Sequence, residues 1–409
     1  MDNSNNWIKF EKLLNFEKYL LQIFGLLSMK TLFLNKPYVK NIYGTFIFSI
    51  SLTVIISLTF LNIIYVISAW ENDIDSVMIM VPVVFGQIIA IPKGMIIWFY
   101  QEDLYNVLDN LQEKWNKSFT RTEIHDQILE QAIKITKFRN IYVFIFTILL
   151  IVYVYSPIST ILIYFYKNTN ESFDFNQTMW PSDIYQIKIN TFLKYIFIST
   201  IEIYHAYIYI LYCQVGEIFY IQMFTHISIQ FKILANDIIT TVKTDRDSNS
   251  KTLSMELKYI IMRHQELYKL FDLMNDKFYS SVIFSSFVIG SINMCFNIFQ
   301  FQRAFNQGNY FAASRSLILT LSIFFEMTLY CIQAEIICAS AELIPESVYN
   351  SQWSNIDKNS MLTLQIIMTC SQKKLTCGAY GLVNIDHEQI TQVCRRTFSF
   401  FVFLDSIQS

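Results

Sequence analysis

Long apolar runs alternate with shorter polar segments along the chain, and the length of the runs decides its class. A helix needs about 20 apolar residues to cross the hydrocarbon of a bilayer. Roughly seven runs of that kind lie near residues 42–68, 76–99, 138–166, 189–224, 278–301, 315–340 and 382–404, the last being the shortest. A half-apolar stretch near 359–370, NSMLTLQIIMTC, precedes the last run and is too short to span. The two longest polar connections, about 100–137 and 225–277, keep a helical rhythm. In ELKYIIMRHQELYKLFDLMNDKF, apolar residues recur at spacings of three and four. These spans are expected to continue as helices beyond the membrane. The pattern predicts an all-α, polytopic membrane protein with seven transmembrane helices.

Lysine and arginine set the expected orientation, because cytoplasmic loops are enriched in them. Residues 1–41 carry six Lys, the second connection carries six basic residues through Arg139, and the fourth, 225–277, carries eight. The first connection, AWENDID, carries none, and the third, about 167–188, carries two. The N-terminus is therefore expected in the cytoplasm and, with seven spans, the C-terminus outside. The N-terminal segment lacks the basic start of a signal peptide. Its Trp7, Phe10, Leu13, Leu14 and Leu21 recur at helical spacing. An amphipathic helix on the membrane surface and a helix packed on the protein's own cytoplasmic side both fit that spacing.

Composition changes the picture only by exclusion. Of 409 residues, 53% are hydrophobic and 16% charged, against about 25% charged in soluble domains. A formal net charge of −2 gives no basic footprint for nucleic acid. No Ser/His/Asp set, HExxH motif or Gly-rich phosphate loop is present, and no CxxC or HxxxC cluster suggests zinc, so neither an enzyme nor a bound cofactor is expected. The seven Cys read as small buried hydrophobes. Of three sequons, Asn170 and Asn176 fall in a loop placed outside and are the glycosylation candidates, whereas Asn116 falls on the cytoplasmic side.

The stretch SQKKLTCGAYGLVNIDHEQITQVCRRTFSFFVFLDSIQS, residues 371–409, resembles the C-terminal signature of the insect odorant receptors. That signature is a lysine-proline-leucine step, a small Ala/Gly turn, and a helix ending in serine–aromatic–serine–aromatic–phenylalanine. Lys374-Leu375, Ala379 to Gly381, and Thr397-Phe398-Ser399-Phe400-Phe401 stand at these steps, with Leu404 after them. Lys374 takes the usual proline's place and Phe replaces the tyrosines. The gustatory receptors share the architecture but end in a Thr-Tyr…Gln-Phe pattern that is absent here.

The resemblance implies a ligand-gated, nonselective cation channel in the plasma membrane of a sensory dendrite. It further implies a tetramer formed with the odorant receptor co-receptor, opened by a small volatile organic ligand. The implied organisation is a cytoplasmic segment 1–41, spans and ligand pocket in 42–340, a cytoplasmic anchor in 341–380, and a pore-lining helix with a short tail in 381–409. The last span would thus be split into an anchor part and a pore part. In the anchor, Met361, Leu364, Ile367 and Met368 share one face, as an internal amphipathic helix would also show.

Asp386-His-Glu-Gln389 fits a capping box, so the pore helix should start near Asp386. Arg395 and Arg396 should face protein or vestibule, or form a buried salt bridge, because arginine facing lipid is costly. Ser399, Phe403 and Ile407 share a face at i, i+4 and i+8. By the family's pattern Phe403 and Ile407 form a hydrophobic constriction that gates by dewetting; plain packing of Phe403 on a neighbouring helix is the alternative.

The family's ligands sit in the outer half of spans 2, 3, 4 and 6. The candidates there are Met78, Val81 and Phe85 beside Pro82; Tyr153 and Tyr155 near Pro157; Phe192, Tyr195, Ser199 and Ile203; and Leu317, Leu321 and Phe325. Ordinary helix packing is the competing role for each. Glu202, His205 and Glu326 are intramembrane ionisable groups, suited either to pairing or to hydrogen-bonding a polar ligand. A receptor signalling through a cytoplasmic partner would need the N-terminus outside, against the distribution of basic residues.

Overall fold

The computed structural model describes residues 42–71, 74–118, 125–167, 189–244 and 250–408. The N-terminal helix expected before residue 42 and the sequons at Asn170 and Asn176 lie outside the described residues. The elements are α1 (Ile42–Ala69), α2 (Ile74–Phe99), α3 (Gln101–Ser118), α4 (His125–Lys167), α5 (Phe192–Thr244), α6 (Ser250–Asp272), α7 (Ser280–Asn306), α8 (Tyr310–Asn350), α9 (Lys358–Ser371) and α10 (His387–Gln408). A π-helical turn, Leu273–Tyr279, joins α6 to α7, and a hairpin of β1 (Gly378–Ala379) and β2 (Val383–Asn384) precedes α10. Among the described residues, α1, α2, α5, the joined α6–α7 and α8 are long and apolar enough to cross a membrane.

Several helices outrun the bilayer. At 1.5 Å per residue the 53 residues of α5 reach about 80 Å and the 41 of α8 about 62 Å, against about 30 Å of hydrocarbon. The surplus forms a bundle with α3, the start of α4, and α6. There Lys114 meets Glu266 at 2.5 Å, Lys277 meets Asp103 at 2.6 Å, and Arg263 pairs with Asp237. Within the described residues the polar connections are thus helical, as their rhythm predicts, in α3 and the start of α4 and in the end of α5 and α6.

The lipid-facing side is legible on α1. Phe46 and Phe60 are exposed, and Ser49, Thr53 and Ser57 donate to the carbonyls four residues earlier, at 2.8, 2.8 and 2.6 Å. With no water in hydrocarbon, such hydroxyls must be satisfied by their own helix. The opposite extreme is α5, which is buried on every side from Ile210 to Phe231 and forms the central column of the core. Neighbouring helices approach it closely where side chains are small. A Cβ on Gly94 would sit 2.5 and 2.7 Å from ring carbons of Tyr212, so α2 can lie on α5 only with glycine there.

The ends of α9 and α10 follow their sequence signals. Asp357 caps α9 by accepting from the Ser360 and Asn359 amides, both at 3.1 Å. Bonds from Ser360 chiefly hold this carboxyl below the usual aspartate range, so the cap is complete above an ordinary aspartate pKa and is lost as pH falls through the lowered one. Leu364 and Ile367 of α9 are buried, with Met368 packed beside them. Tyr380 and Gly381 both take positive φ, 53° and 67°, at the centre of the hairpin turn, closed by Leu382 N–H donating to the Ala379 carbonyl at 2.9 Å. Asp386 then accepts from the Gln389 amide at 2.8 Å, giving α10 its N-cap.

One ion cluster sits inside the bundle. Lys93 of α2 is fully buried, and its Nζ lies 2.7 Å from Glu217 of α5 and 2.6 Å from Glu326 of α8. The Tyr330 hydroxyl donates to Glu217 at 2.5 Å, and the Ser286 hydroxyl of α7 donates to Glu326 at 2.8 Å. Four helices therefore meet at one ammonium. The sequence left Glu326 without an assigned partner; Lys93 was hidden in the second apolar run.

Two outcomes test this core. Lys93→Met leaves two carboxylates facing each other, and loss of one partner of a buried pair costs about 3–5 kcal/mol. The yield of monodisperse protein should collapse, and the triple change Lys93→Met, Glu217→Gln, Glu326→Gln should recover most of it. A triple variant as poor as the single one would show that charge is not what the site resolves. Gly94→Ala overpacks the α2–α5 contact and should lose about 1–3 kcal/mol, read as a lower melting temperature in detergent; an unchanged temperature would contradict the close approach.

Candidate functional site

Helices α2, α4, α5, α7 and α8 leave an enclosed cavity of about 60 Å³ between them. Its apolar wall includes Pro82, Val83, Phe146, Ile210 and Ile323. Its polar wall includes Gln87, His205, Asn293, Asn297, Ser322 and Glu326. A cavity of that size holds a few water molecules, whereas pockets that enclose organic ligands run to about 300–1,000 Å³. A ligand larger than a few atoms must therefore push the walls apart.

The polar wall is ordered by hydrogen bonds. Asn62 Nδ2 of α1 donates to Gln87 Oε1 at 3.2 Å. That fixes the Gln87 amide, whose Nε2 then faces His205 Nε2 at 3.3 Å. Asn297 Nδ2 donates to both the carbonyl and the side-chain oxygen of Asn293, each at 2.9 Å. Glu326 belongs to the cavity and to the Lys93 cluster at once, so the ion cluster braces one wall.

None of the described side chains among the twelve residues proposed from sequence lines this cavity. Val81 is buried against Val77 and Ala69, with Phe85 packed beside them. Met78, Phe192 and Ile203 are half-buried, and Tyr195 and Ser199 are buried. Tyr155, Leu317 and Leu321 are 61, 42 and 56% exposed. The side chain of Tyr153 lies outside the described residues. On α8 the cavity takes the other face, from Leu319 to Glu326; on α5 it begins at His205, just beyond Ile203. Sequence reasoning left out α7. Its signal was a polar pair, Asn293 and Asn297, one turn apart inside an apolar span.

Phe325 faces a second space, a groove of about 580 Å³ between α4, α5 and α8. Gln131, Lys134 and Lys232 lie along it, and it opens sideways. The two spaces share an aromatic partition: Phe325 lies 5.7 Å from Phe138 and 6.2 Å from Tyr142, and Tyr142 lies 4.6 Å from Phe146. Enclosure with converging polar groups marks the smaller space as the candidate ligand site.

The last helix touches this site through α7. Phe296 lies between Phe85 of α2, at 5.9 Å, and Phe400 of α10, at 6.4 Å. Cys295 also contacts the Thr397 carbonyl, at 3.6 Å. Ser399 is exposed; the side chains of Phe403 and Ile407 lie outside the described residues. Arg395 and Arg396 are exposed within the chain, and Arg396 donates to Gln392 at 3.2 Å, so they do not form the buried salt bridge that was one expectation.

Comparison with known proteins agrees with this geometry. No curated protein matches the chain. The structure of the insect olfactory receptor OR5 from Machilis hrabei shares 14% identity and a TM-score of 0.74, over 96% of this chain and 97% of that one. The same receptor in complex with eugenol gives 13% identity and a TM-score of 0.76, over 97 and 98%. At that identity the likeness is one of fold. Residues 73–398 match the profile of the family described as 7tm Odorant receptor. That match covers most of the length and makes this multi-pass membrane chain a member of the odorant receptor family, a receptor rather than an enzyme.

Proposed function

We propose that the chain is the ligand-tuned subunit of an odorant-gated, nonselective cation channel, assembled as a tetramer with the odorant receptor co-receptor. The observation that carries this most directly is the enclosed cavity whose α7 wall also contacts α10. A small volatile organic molecule enters the cavity from the bundle's outer half. Kinship in fold to a receptor solved with eugenol supports that ligand size. The N-terminus and the segment 341–380 are cytoplasmic and the C-terminus is outside, as the basic residues of the connections indicate.

In this scheme α10 lines the pore, with Ser399, Phe403 and Ile407 on its lumenal face and Phe403 and Ile407 as a hydrophobic gate. Dry apolar constrictions stop ions because hydration must be shed to pass them. Of the candidates Met78, Val81, Phe85, Tyr153, Tyr155, Phe192, Tyr195, Ser199, Ile203, Leu317, Leu321 and Phe325, the buried Val81, Tyr195 and Ser199 and the half-buried Phe85 support the ligand site from behind its walls. Those nearest it move when it expands. Asn170 and Asn176 carry glycans outside the plasma membrane of a sensory dendrite.

Whole-cell recording checks the scheme. Cells expressing the chain with the co-receptor should give a fast inward cation current to a volatile mixture, and cells lacking either subunit should give none. Surface protein without current across a broad panel would sink the channel reading. In responding cells, Phe403→Ala should raise the ligand-free current roughly tenfold, the effect of about 1.4 kcal/mol on the closed state. A resting current equal to the unmodified channel's would remove Phe403 from the gate.

A further inference from the structure

Among the groups lining the enclosed cavity is a buried acceptor that the protein leaves unmet. Asn297 is 1% exposed and lines the cavity, and its Oδ1 is buried without a hydrogen-bond partner. Its orientation is fixed. Nδ2 faces two acceptors, the carbonyl and Oδ1 of Asn293, each at 2.9 Å. A flipped amide would set oxygen against two oxygens, so the unmet atom is the acceptor and not the donor.

Gln87, Ser322 and Glu326, on the same polar wall, are engaged within the protein. Gln87 Oε1 accepts from Asn62, and Gln87 Nε2 faces His205. The Ser322 hydroxyl donates to the Leu319 carbonyl at 2.8 Å. Glu326 Oε1 accepts from Lys93 and from Ser286. What Asn297 offers an incoming molecule is therefore a buried acceptor on a polar wall that faces an apolar one. A water satisfies such an acceptor until a ligand displaces it, and displacement is favourable only for a ligand that restores the bond.

Resting on the odorant-gated reading above, we propose that this receptor is tuned to small volatile alcohols or phenols, with Asn297 Oδ1 accepting the ligand's O–H. The hydrocarbon part packs on Val83, Phe146, Ile210 and Ile323. An ether, an ester or a hydrocarbon of the same size fills the space and leaves Oδ1 unmet. Sites built to bond a hydroxyl reject the analogue that lacks it far more strongly than they reject a changed methylene.

The test uses isomers of one volume. 1-Hexanol and methyl pentyl ether are applied to the purified chain in lipid nanodiscs, with binding followed by thermal shift. They are also applied as stimuli to cells expressing the chain with the co-receptor. The alcohol should act at a concentration roughly tenfold or more below the ether. Phenol and anisole should separate in the same direction. Asn297→Leu should erase the difference by weakening the alcohol alone. Equal potency of alcohol and ether on the unmodified protein overturns the proposal, and this comparison needs no variant to fold. A variant that weakens both ligands equally also overturns it, as does the absence of binding by any alcohol tried. Saturable, alcohol-selective binding with no current upholds the proposal and overturns the channel reading instead.

Discussion

Lys93 is the point on which the bundle depends. One ammonium bonds two carboxylates from two other helices, and hydroxyls from Ser286 and Tyr330 take up further carboxylate lone pairs. In a space without water such groups have no alternative partner, so each helix must arrive in register or leave a charge exposed to hydrocarbon. Replacing a buried ion pair by apolar residues is often neutral for stability. Its effect is on uniqueness: it admits one rotation and one depth for α2, α5 and α8. Gly94 and Tyr212 fix the same pair, α2 and α5, by shape. Charge sets the depth and glycine permits the distance.

The cavity follows from that register. Glu326 faces Lys93 with its carboxylate while its residue also lines the cavity, so the wall on α8 is pinned from behind. The wall on α7 is held differently. Asn297 bonds only its own helix, and Phe296 packs on both α2 and α10. A molecule that enlarges the cavity thus meets one braced wall and one wall that leans on the last helix. Displacement is expected on the side with fewer ties.

Five of the seven expected spans, their surplus length and the caps of α9 and α10 were legible in sequence, because apolar length and capping chemistry are local properties. Rotation was not. A stripe at i and i+4 identifies a face only where the other faces are polar. At the start of α5 the exposed Leu193 and Phe197 are as apolar as the buried Tyr195, so Phe192, Tyr195, Ser199 and Ile203 mark no direction in the sequence, and the cavity lies further in, from His205 to Cys213. On α8, Leu317 and Leu321 turn outward because lipid accepts leucine as readily as a pocket does. Lys93 and Glu217 show the converse. Lys93 is the single charge of its run and Glu217 shares its run with Lys194 and Glu202, and nothing local says that residues separated by that much chain will meet. The turn at Ala379 to Gly381 stands where the C-terminal motif placed it, but the two short strands it joins were hidden because Tyr380 takes positive φ beside Gly381, where sequence favours Asn or Asp.

On the proposed reading, a cavity too small for its ligand constrains how the channel would be gated. Enlarging about 60 Å³ to hold an organic molecule separates packed helices, and that separation opposes binding. A ligand shifts a conformational equilibrium only by its differential affinity for the two states. If the enlarged cavity occurred equally with the pore open or shut, binding would be weakened and the gate would not respond. Gating therefore requires that enlargement and the α10 arrangement be coupled. The Phe85–Phe296–Phe400 contacts are where the described residues place such a coupling, since Phe296 cannot follow an expanding α2–α7 wall without changing its packing on α10. The unmet oxygen of Asn297 stands beside that hinge in sequence, so the bond that would identify the ligand and the ring that would report its arrival are carried by adjacent residues of one helix.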